Sequence, residues 1–380
     1  MRILVAGGAG FIGAALCEKL LGLGHAVVCV DSLQTGSAQA VDRLRAFAGF
    51  TFLHQDIAQP LDSAPVGPVE QVYNLACPAS PRQYQQAPVK TIETNIIGTR
   101  NLLDLARLTC ARFLLASTSE VYGSPQQKPQ REDYWGNVNT IGPRACYDEG
   151  KRCAEALVQA YQTQYQMDTR IARIFNTYGP GMQRDDGRVV SNFVTRILDG
   201  APIEIYGDGR QTRCFCYVDD MVEALIALMA SDCATPVNLG ADREVSVAQL
   251  AHLVGLVLEK PVTLHYAPAL VDDPRERQPD LEKCRRVLGW QTTTPLEAGL
   301  LKTAAFFAQT QEHSHARLCG GGRLLDRGHP AVRGGGHACR HDSAAPGKRG
   351  DVGAHSDAAP CASDLQRGHP ANPRARDPAQ

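Results

Sequence analysis

Tyr147 and Lys151 stand four apart in Cys146-Tyr147-Asp148-Glu149-Gly150-Lys151, and on a helix residues at that spacing share a face. A free phenol titrates near ~10 and is a weak base at neutral pH. An ammonium held beside it favours the phenolate, so the pair can take a proton from an alcohol. Earlier in the chain, the apolar run Arg112-Phe113-Leu114-Leu115-Ala116 leads into Ser117-Thr118-Ser119-Glu120. The Thr118 hydroxyl is suited to hold the oxygen of that alcohol beside Tyr147. Glu120, just beyond a buried strand, reads most simply as a solvated loop charge. A functional reading depends on what the rest of the chain builds around it.

Taking a proton from an alcohol is half of an oxidation, and the electrons need an acceptor. Gly7-Gly8-Ala9-Gly10-Phe11-Ile12-Gly13 follows an apolar strand and opens a helix, with Gly7, Gly10 and Gly13 as G-x-x-G-x-x-G. Glycines permit a tight turn and close approach to a pyrophosphate, and the helix N-terminus offers N–H groups and a positive dipole end. A second strand, Ala26 to Val30, ends in Asp31, eighteen residues after Gly13. There a carboxylate accepts from ribose hydroxyls and repels a 2′-phosphate, which favours NAD over NADP. Asp56-Ile57 follows the third candidate strand, where adenine is expected. Phe11, Ile12 and Leu75, with Tyr147 and Lys151, complete the expected cofactor lining. Oxidised nicotinamide adds a second positive charge next to Tyr147.

The elements that must position these residues are legible as alternation. Runs at 2–6, 26–30, 51–54, 71–75, 112–117 and 170–175 read as strands. Ala14 to Leu21, Thr91 to Leu108 and Asp148 to Gln166 read as helices between them. This predicts an α/β fold with a Rossmann-like, doubly wound parallel sheet. Residues 1–175 form the dinucleotide-binding domain, and 176–311 a smaller, interleaved substrate-binding domain. In the latter, Val189 to Leu198 and Val218 to Met229 read as helices and Val237 to Leu239 as a strand. Residues 312–380 contain no Ile, Phe, Tyr, Trp or Met and hold seven of the eleven histidines. Such a segment cannot offset its ordering entropy by burial, so a disordered tail is expected. A histidine-rich metal-binding or regulatory tail and GC-rich DNA read past a frameshift both account for it; resequencing the coding DNA distinguishes them.

Lysine plus arginine (39) nearly balances aspartate plus glutamate (40), so no general field favours nucleic acid or an anionic membrane. No apolar run is long enough to span a bilayer. Met1-Arg2 leads straight into the first strand, so no signal peptide is expected and a cytoplasmic location is. The thirteen cysteines are scattered and read as reduced thiols. Cys214 and Cys216 lack a second pair at zinc spacing, so no metal site is expected.

Several blocks carry a resemblance to a known family. They are Ala76-Cys77-Pro78-Ala79-Ser80-Pro81, Leu114 to Gly123, Tyr134 to Asn139, Ile141 to Lys151, Arg173 to Pro180, Asp186 to Phe193, Tyr206 to Gly209, Gln211 to Arg213 and Tyr217 to Asp220. The chain resembles the extended short-chain dehydrogenase/reductases that act on nucleotide sugars, and within them the UDP-glucuronate decarboxylases, from residue 1 to near residue 308. Epimerases of this family usually carry small residues at the positions of Ser119 and Glu120, and dehydratases carry Asp-Glu. The Ser-Glu pair is the one the decarboxylases show.

The resemblance implies that C4 of UDP-glucuronate is oxidised and that the β-keto acid then loses CO2. C5 next takes a proton, and the hydride returns to give UDP-xylose with NAD regenerated. Thr118, Ser119, Glu120, Tyr147, Lys151 and Arg277 are the implied catalytic set. Glu120, Arg277 and Ser119 are all candidates for delivering the C5 proton. Asn176, Arg188, Asn192, Tyr206, Arg213 and Arg277 are implied to bind the substrate. In that set Arg188 and Arg213 suit phosphates, Tyr206 the uracil and Arg277 the carboxylate. An oxidative relative that releases a 4-keto pentose and NADH, another epimerase or dehydratase, and a non-catalytic NAD-binding scaffold are the alternatives. A homodimer through Thr91–Leu108 and Asp148–Gln166 is implied as well. Thr140, Gly181, Glu93, Cys77 and Cys214 depart from the family pattern, with Glu93 reversing a charge expected near the diphosphate.

Overall fold

The computed structural model describes residues 1–61 and 63–320. Strands β1 (Arg2–Ala6), β2 (Ala26–Asp31), β3 (Phe50–His54), β4 (Gln71–Asn74), β5 (Arg112–Thr118) and β6 (Thr169–Ile174) join the strand Val237–Leu239 in one seven-stranded sheet. From one edge to the other the order is Val237–Leu239, β6, β5, β4, β1, β2, β3, and every pairing is parallel. β1 is buried at its last four positions and β5 at its last six. A parallel sheet covered on both faces selects such unbroken apolar runs over alternation.

Connections from β1 run toward β3 on one side and from β4 toward β6 on the other, so a crevice opens at the carboxyl ends of β1 and β4. Register aligns that rim: Ala6 lies opposite both Val30 and Asn74, Asn74 opposite Leu115, and Thr118 opposite Ile174. The residues just beyond, Gly7, Asp31, Leu75 and Ser119, therefore share one edge of the sheet.

The helix predicted over Thr91–Leu108 is built in three consecutive parts: Pro88–Glu93, a π-helical turn Thr94–Gly98, and Thr99–Thr109. At Gly98 a Cβ would run into the Ile57 side chain, so close packing under the cofactor rim sets that residue. Val89, Ile92, Ile97 and Leu108 remain exposed along the outer face. The helix predicted from Asp148 begins earlier, spanning Ala145–Tyr165, which places Tyr147 in its first turn.

A second hydrophobic core gathers Phe193, Ile197, Leu250, Val254, Leu300 and Phe307. Short strands edge it: Ile203–Tyr206 pairs with Leu264–Ala267, and Thr212–Cys214 lies between Glu244–Ser246 and Glu276–Arg277. The last pairing sets Arg277 opposite Arg213. The final helix runs Leu296–Gly320, past the residue 312 at which the tail was expected to start; residues 321–380 lie outside the described residues. No described helix is long and apolar enough to cross a membrane.

Candidate active site

At the rim beyond the carboxyl end of β1, Gly7 has φ +76°, and a Cβ there would press on the Leu75 carbonyl and the Ala76 nitrogen at 2.7 Å. A Cβ on Gly13 would collide with the Gly7 carbonyl oxygen. The glycine spacing thus lets the turn, the helix and the β4 loop close on one another. Helix α1 (Phe11–Gly22) starts after Gly10, which is extended and supplies no side-chain cap. Its first-turn N–H groups are left for a ligand. At the end of β2, Asp31 accepts from Ala9 N–H at 3.0 Å and Leu33 N–H at 2.8 Å. Burial raises its pKa, and those two N–H groups oppose the rise. A small crevice lined by Gly7, Gly10, Asp31, Asp56, Ile57 and Leu75 continues this edge. Asp56 is ion-paired with Lys90 and turns one oxygen to Ala58 N–H at 2.9 Å. A backbone cradle that excludes side chains, an open helix N-terminus and a carboxylate at the end of β2 fit a dinucleotide.

The crevice opens into a cavity of about 370 Å³, within the ~300–1,000 Å³ of small-molecule sites. Phe11, Ile12, Gly13, Thr118, Ser119, Glu120, Tyr147 and Lys151 line it, as do Asn176, Arg188, Asn192, Tyr206, Arg213 and Arg277. Every residue given a catalytic, cofactor or substrate role in the sequence therefore borders this cavity or the adjoining crevice.

Lys151 is buried, and its ammonium donates to the Ala116 carbonyl at 2.8 Å. Burial lowers its pKa, while Cys77 and Glu155 raise it. The depression of the Tyr147 phenol is expected from Lys151 together with oxidised nicotinamide; the protein's own groups act on balance the other way. Burial holds its pKa well above 10, Cys77, Glu120 and Tyr84 add to the rise, and the Thr118 hydroxyl opposes it. Lys151 spends a hydrogen bond on β5, so its charge is not directed at the phenol alone.

Glu120 is no solvated loop charge: its residue is 9% exposed. Its carboxylate accepts from Arg277 through two nitrogens at 2.7 Å and from Arg144 at 2.7 Å. Burial pushes Glu120 up, but Arg277, Arg144 and Arg213 outweigh it and hold the carboxyl below its ordinary 4.5. Asp273 continues the network, meeting Arg213 at 3.0 Å, Arg144 at 3.6 Å and Arg277 at 3.9 Å. Three guanidiniums face two carboxylates, which leaves a positive balance for an anionic substrate group.

Arg144, Asp273 and Tyr84 carried no role in the sequence reading. A fork of donors three residues before Tyr147 was the available signal for Arg144. Arg213, expected on a phosphate, is paired with Asp273. Arg188 is held by Asp186 at 2.9 Å and 2.7 Å and lies over the Phe11 ring at 5.1 Å. An arginine has five N–H donors, so both keep some for a ligand. The Asn192 side-chain amide donates to the Gly187 carbonyl at 3.5 Å, and Tyr206 donates to Glu204 at 2.8 Å. Among the departures, Glu93 lines neither the cavity nor the crevice. Gly181 adopts φ +94°, a conformation an arginine would resist.

Comparison with known proteins decides the lineage. Residues 3–240 match the model of the NAD dependent epimerase/dehydratase family. The chain belongs to that family. It is similar to UDP-glucuronic acid decarboxylase 1 of Xenopus tropicalis, 48% identical over 82% of this chain and 73% of the relative. It is also 48% identical to UDP-glucuronic acid decarboxylase 1 of Arabidopsis thaliana, over 81% of this chain and 70% of the relative. Among solved structures it resembles the UDP-glucose 4-epimerase of Thermotoga maritima with UDP-glucose: TM-score 0.75, 30% identity, 82% of this chain and all of the other. The UDP-glucuronic acid 4-epimerase of Bacillus cereus, in complex with UDP-glucuronic acid and NAD, aligns at TM-score 0.74 and 25% identity over 82% of this chain and 100% of that one.

Proposed function

We propose that the protein converts UDP-glucuronate to UDP-xylose and CO2 through a 4-keto sugar, with NAD retained and regenerated in each cycle. The observation that carries this reading is Glu120, fixed between Arg144 and Arg277 in the wall that also holds Tyr147. The names of the curated relatives support it, as does the Ser119-Glu120 pair.

Bound NAD supplies the two-electron acceptor for C4 and, while oxidised, a positive charge that favours ionised Tyr147. Asp31 accepts from the adenosine ribose, the glycine cradle takes the pyrophosphate, and Asp56 and Ile57 border the adenine. The Asp31 carboxylate disfavours a 2′-phosphate, hence NAD over NADP. Thr118 holds the C4 oxygen while Tyr147 takes its proton. Lys151, anchored on Ala116, fixes the helix face that carries Tyr147. Arg277 grips the C6 carboxylate with donors not spent on Glu120. Once C4 is a ketone, the bond to C6 breaks and its electrons flow toward the C4 oxygen. Tyr147, now protonated, and Thr118 donate to that oxygen as charge develops. Glu120, ionised between two guanidiniums, anchors Arg277 and does not give up a proton. Arg188, Asn176 and Asn192 face the diphosphate, and Tyr206 the base.

Substoichiometric NAD gives the test. Each cofactor should support many turnovers of UDP-glucuronate, with UDP-xylose as the product by mass. A single turnover per NAD, ending in a 4-keto pentose, would reject the closed cycle.

A further inference from the structure

Three stretches of chain meet at the Gln183 side chain. Its amide nitrogen donates to the Thr35 carbonyl at 3.0 Å, and its amide oxygen accepts from the Gln83 side chain at 3.4 Å. Thr35 follows β2, and Gln83 lies on the helix Pro81–Gln86 that follows β4. In the sheet those two strands flank β1, so this one amide joins the two banks of the crevice. Alongside it, Arg82 donates to the Asp185 carbonyl at 3.4 Å. Thr35, Gln83 and Gln183 all line the cavity, and Thr35 borders the adjoining crevice as well.

The segment that carries Gln183 is anchored in the second hydrophobic core. Met182 is buried there. Asp186, also buried, accepts from the Arg188 N–H at 2.8 Å and from the Ser191 hydroxyl at 2.7 Å, at the start of the helix Val189–Leu198. Arg184 donates to both carboxylate oxygens of Asp199, at the other end of that helix, at 2.9 Å and 2.8 Å. Gly181 at φ +94° and Gly187 at φ +83° turn the chain on either side. The segment also lies against Phe11, the first residue of helix α1. A Cβ on Gly181 would stand 3.6 Å from the Phe11 ring, and the Arg188 guanidinium is 5.1 Å over it. A strap held in one core thus covers the start of helix α1, beside the glycine cradle, and Gln183 and Arg82 tie it to the banks beyond.

We propose that Gln183 is a cofactor-retaining latch: its two hydrogen bonds hold residues 181–188 across the crevice, and the dinucleotide enters and leaves when they open. This rests on the reading that NAD is retained and regenerated. A dinucleotide held by Asp31 on one bank and serving Tyr147 on the other follows the line that the strap covers. A cycle that must return its hydride is broken whenever the cofactor escapes, so slow release has a direct use. Both polar ends of the Gln183 amide are engaged by the protein itself. The latch therefore sets how fast the crevice opens and leaves the affinity for NAD unchanged.

The test follows radiolabelled NAD on the full chain. Bound label is chased with excess unlabelled NAD, and uptake is timed by rapid filtration. Gln183→Met keeps the length of the side chain and loses both hydrogen bonds, so label should leave it about tenfold faster than wild type. Uptake should quicken by the same factor, so that Kd does not move. Gln83→Ala removes only the longer of the two bonds, and its release rate should fall between the other two. If wild type binds no NAD, the retained-cofactor reading fails and the latch with it. If NAD binds and leaves wild type and Gln183→Met at one rate, the latch alone is wrong. Faster release with unchanged uptake, and so a weaker Kd, would make Gln183 a direct NAD contact and would also overturn the latch.

Discussion

Tyr147→Phe is expected to abolish turnover of UDP-glucuronate, lowering kcat by about 10³-fold, toward the upper range of general acid–base catalysis. Neither stability nor NAD retention should change much. The ring of Tyr147 is stacked on Tyr84 at 5.0 Å, and phenylalanine preserves that contact while removing only the hydroxyl. Buried among Cys77, Glu120 and Tyr84, the phenol is costly to ionise. The wild-type activity profile should therefore rise with pH on its base limb. Single-turnover mixing that follows NADH formation checks both points. A variant that still forms NADH at the wild-type rate would remove Tyr147 from the role of base.

Glu120→Ala has the second large effect, on stability and on chemistry together. Removing one partner of a buried ion pair typically costs about 3–5 kcal/mol, because the other charge stays behind. Here Arg144 and Arg277 would both lose their 2.7 Å contacts and be left with the more distant Asp273. Arg277 would then no longer be aimed at the C6 carboxylate, and kcat/KM should drop by at least about 10²-fold, a few kcal/mol of lost binding. The pH dependence has a definite sign. Glu120 titrates lower folded than unfolded, so its contribution is complete above 4.5 and is lost as pH falls through the folded value. Wild type should lose part of its stability on acidification that Glu120→Ala has already lost. Chemical denaturation at neutral and acid pH, with Glu120→Gln as an intermediate case, checks this. Equal acid sensitivity in wild type and variant would show that the pair contributes no net stability.

How far the sequence spoke follows from the range of each interaction. The glycine turn, Asp31 after β2 and the Tyr147–Lys151 spacing depend on neighbours a few residues away, and the strands announce themselves as apolar runs. These were legible. The arginine clamp was not: Arg144 meets Glu120 across 24 residues and Arg277 across 157, and no local pattern encodes such a pairing. The blocks that resemble the family pointed at Arg277 but gave Arg144 no part. The surroundings of Lys151 were hidden for a related reason. Its spacing from Tyr147 was read correctly, yet its hydrogen bond goes to Ala116, and burial, which spacing does not report, dominates the phenol. The π-helical turn at Thr94–Gly98 escaped because one extra residue barely disturbs a helical apolar period.

The most direct measurement follows the sixth carbon of the sugar. UDP-glucuronate labelled at C6, incubated with the full chain and substoichiometric NAD, should release one labelled CO2 for every UDP-xylose formed, over many turnovers per cofactor. If the label stays in a nucleotide sugar of unchanged mass while the loaded protein turns over its substrate, the chemistry ends at C4 and the decarboxylase account is wrong.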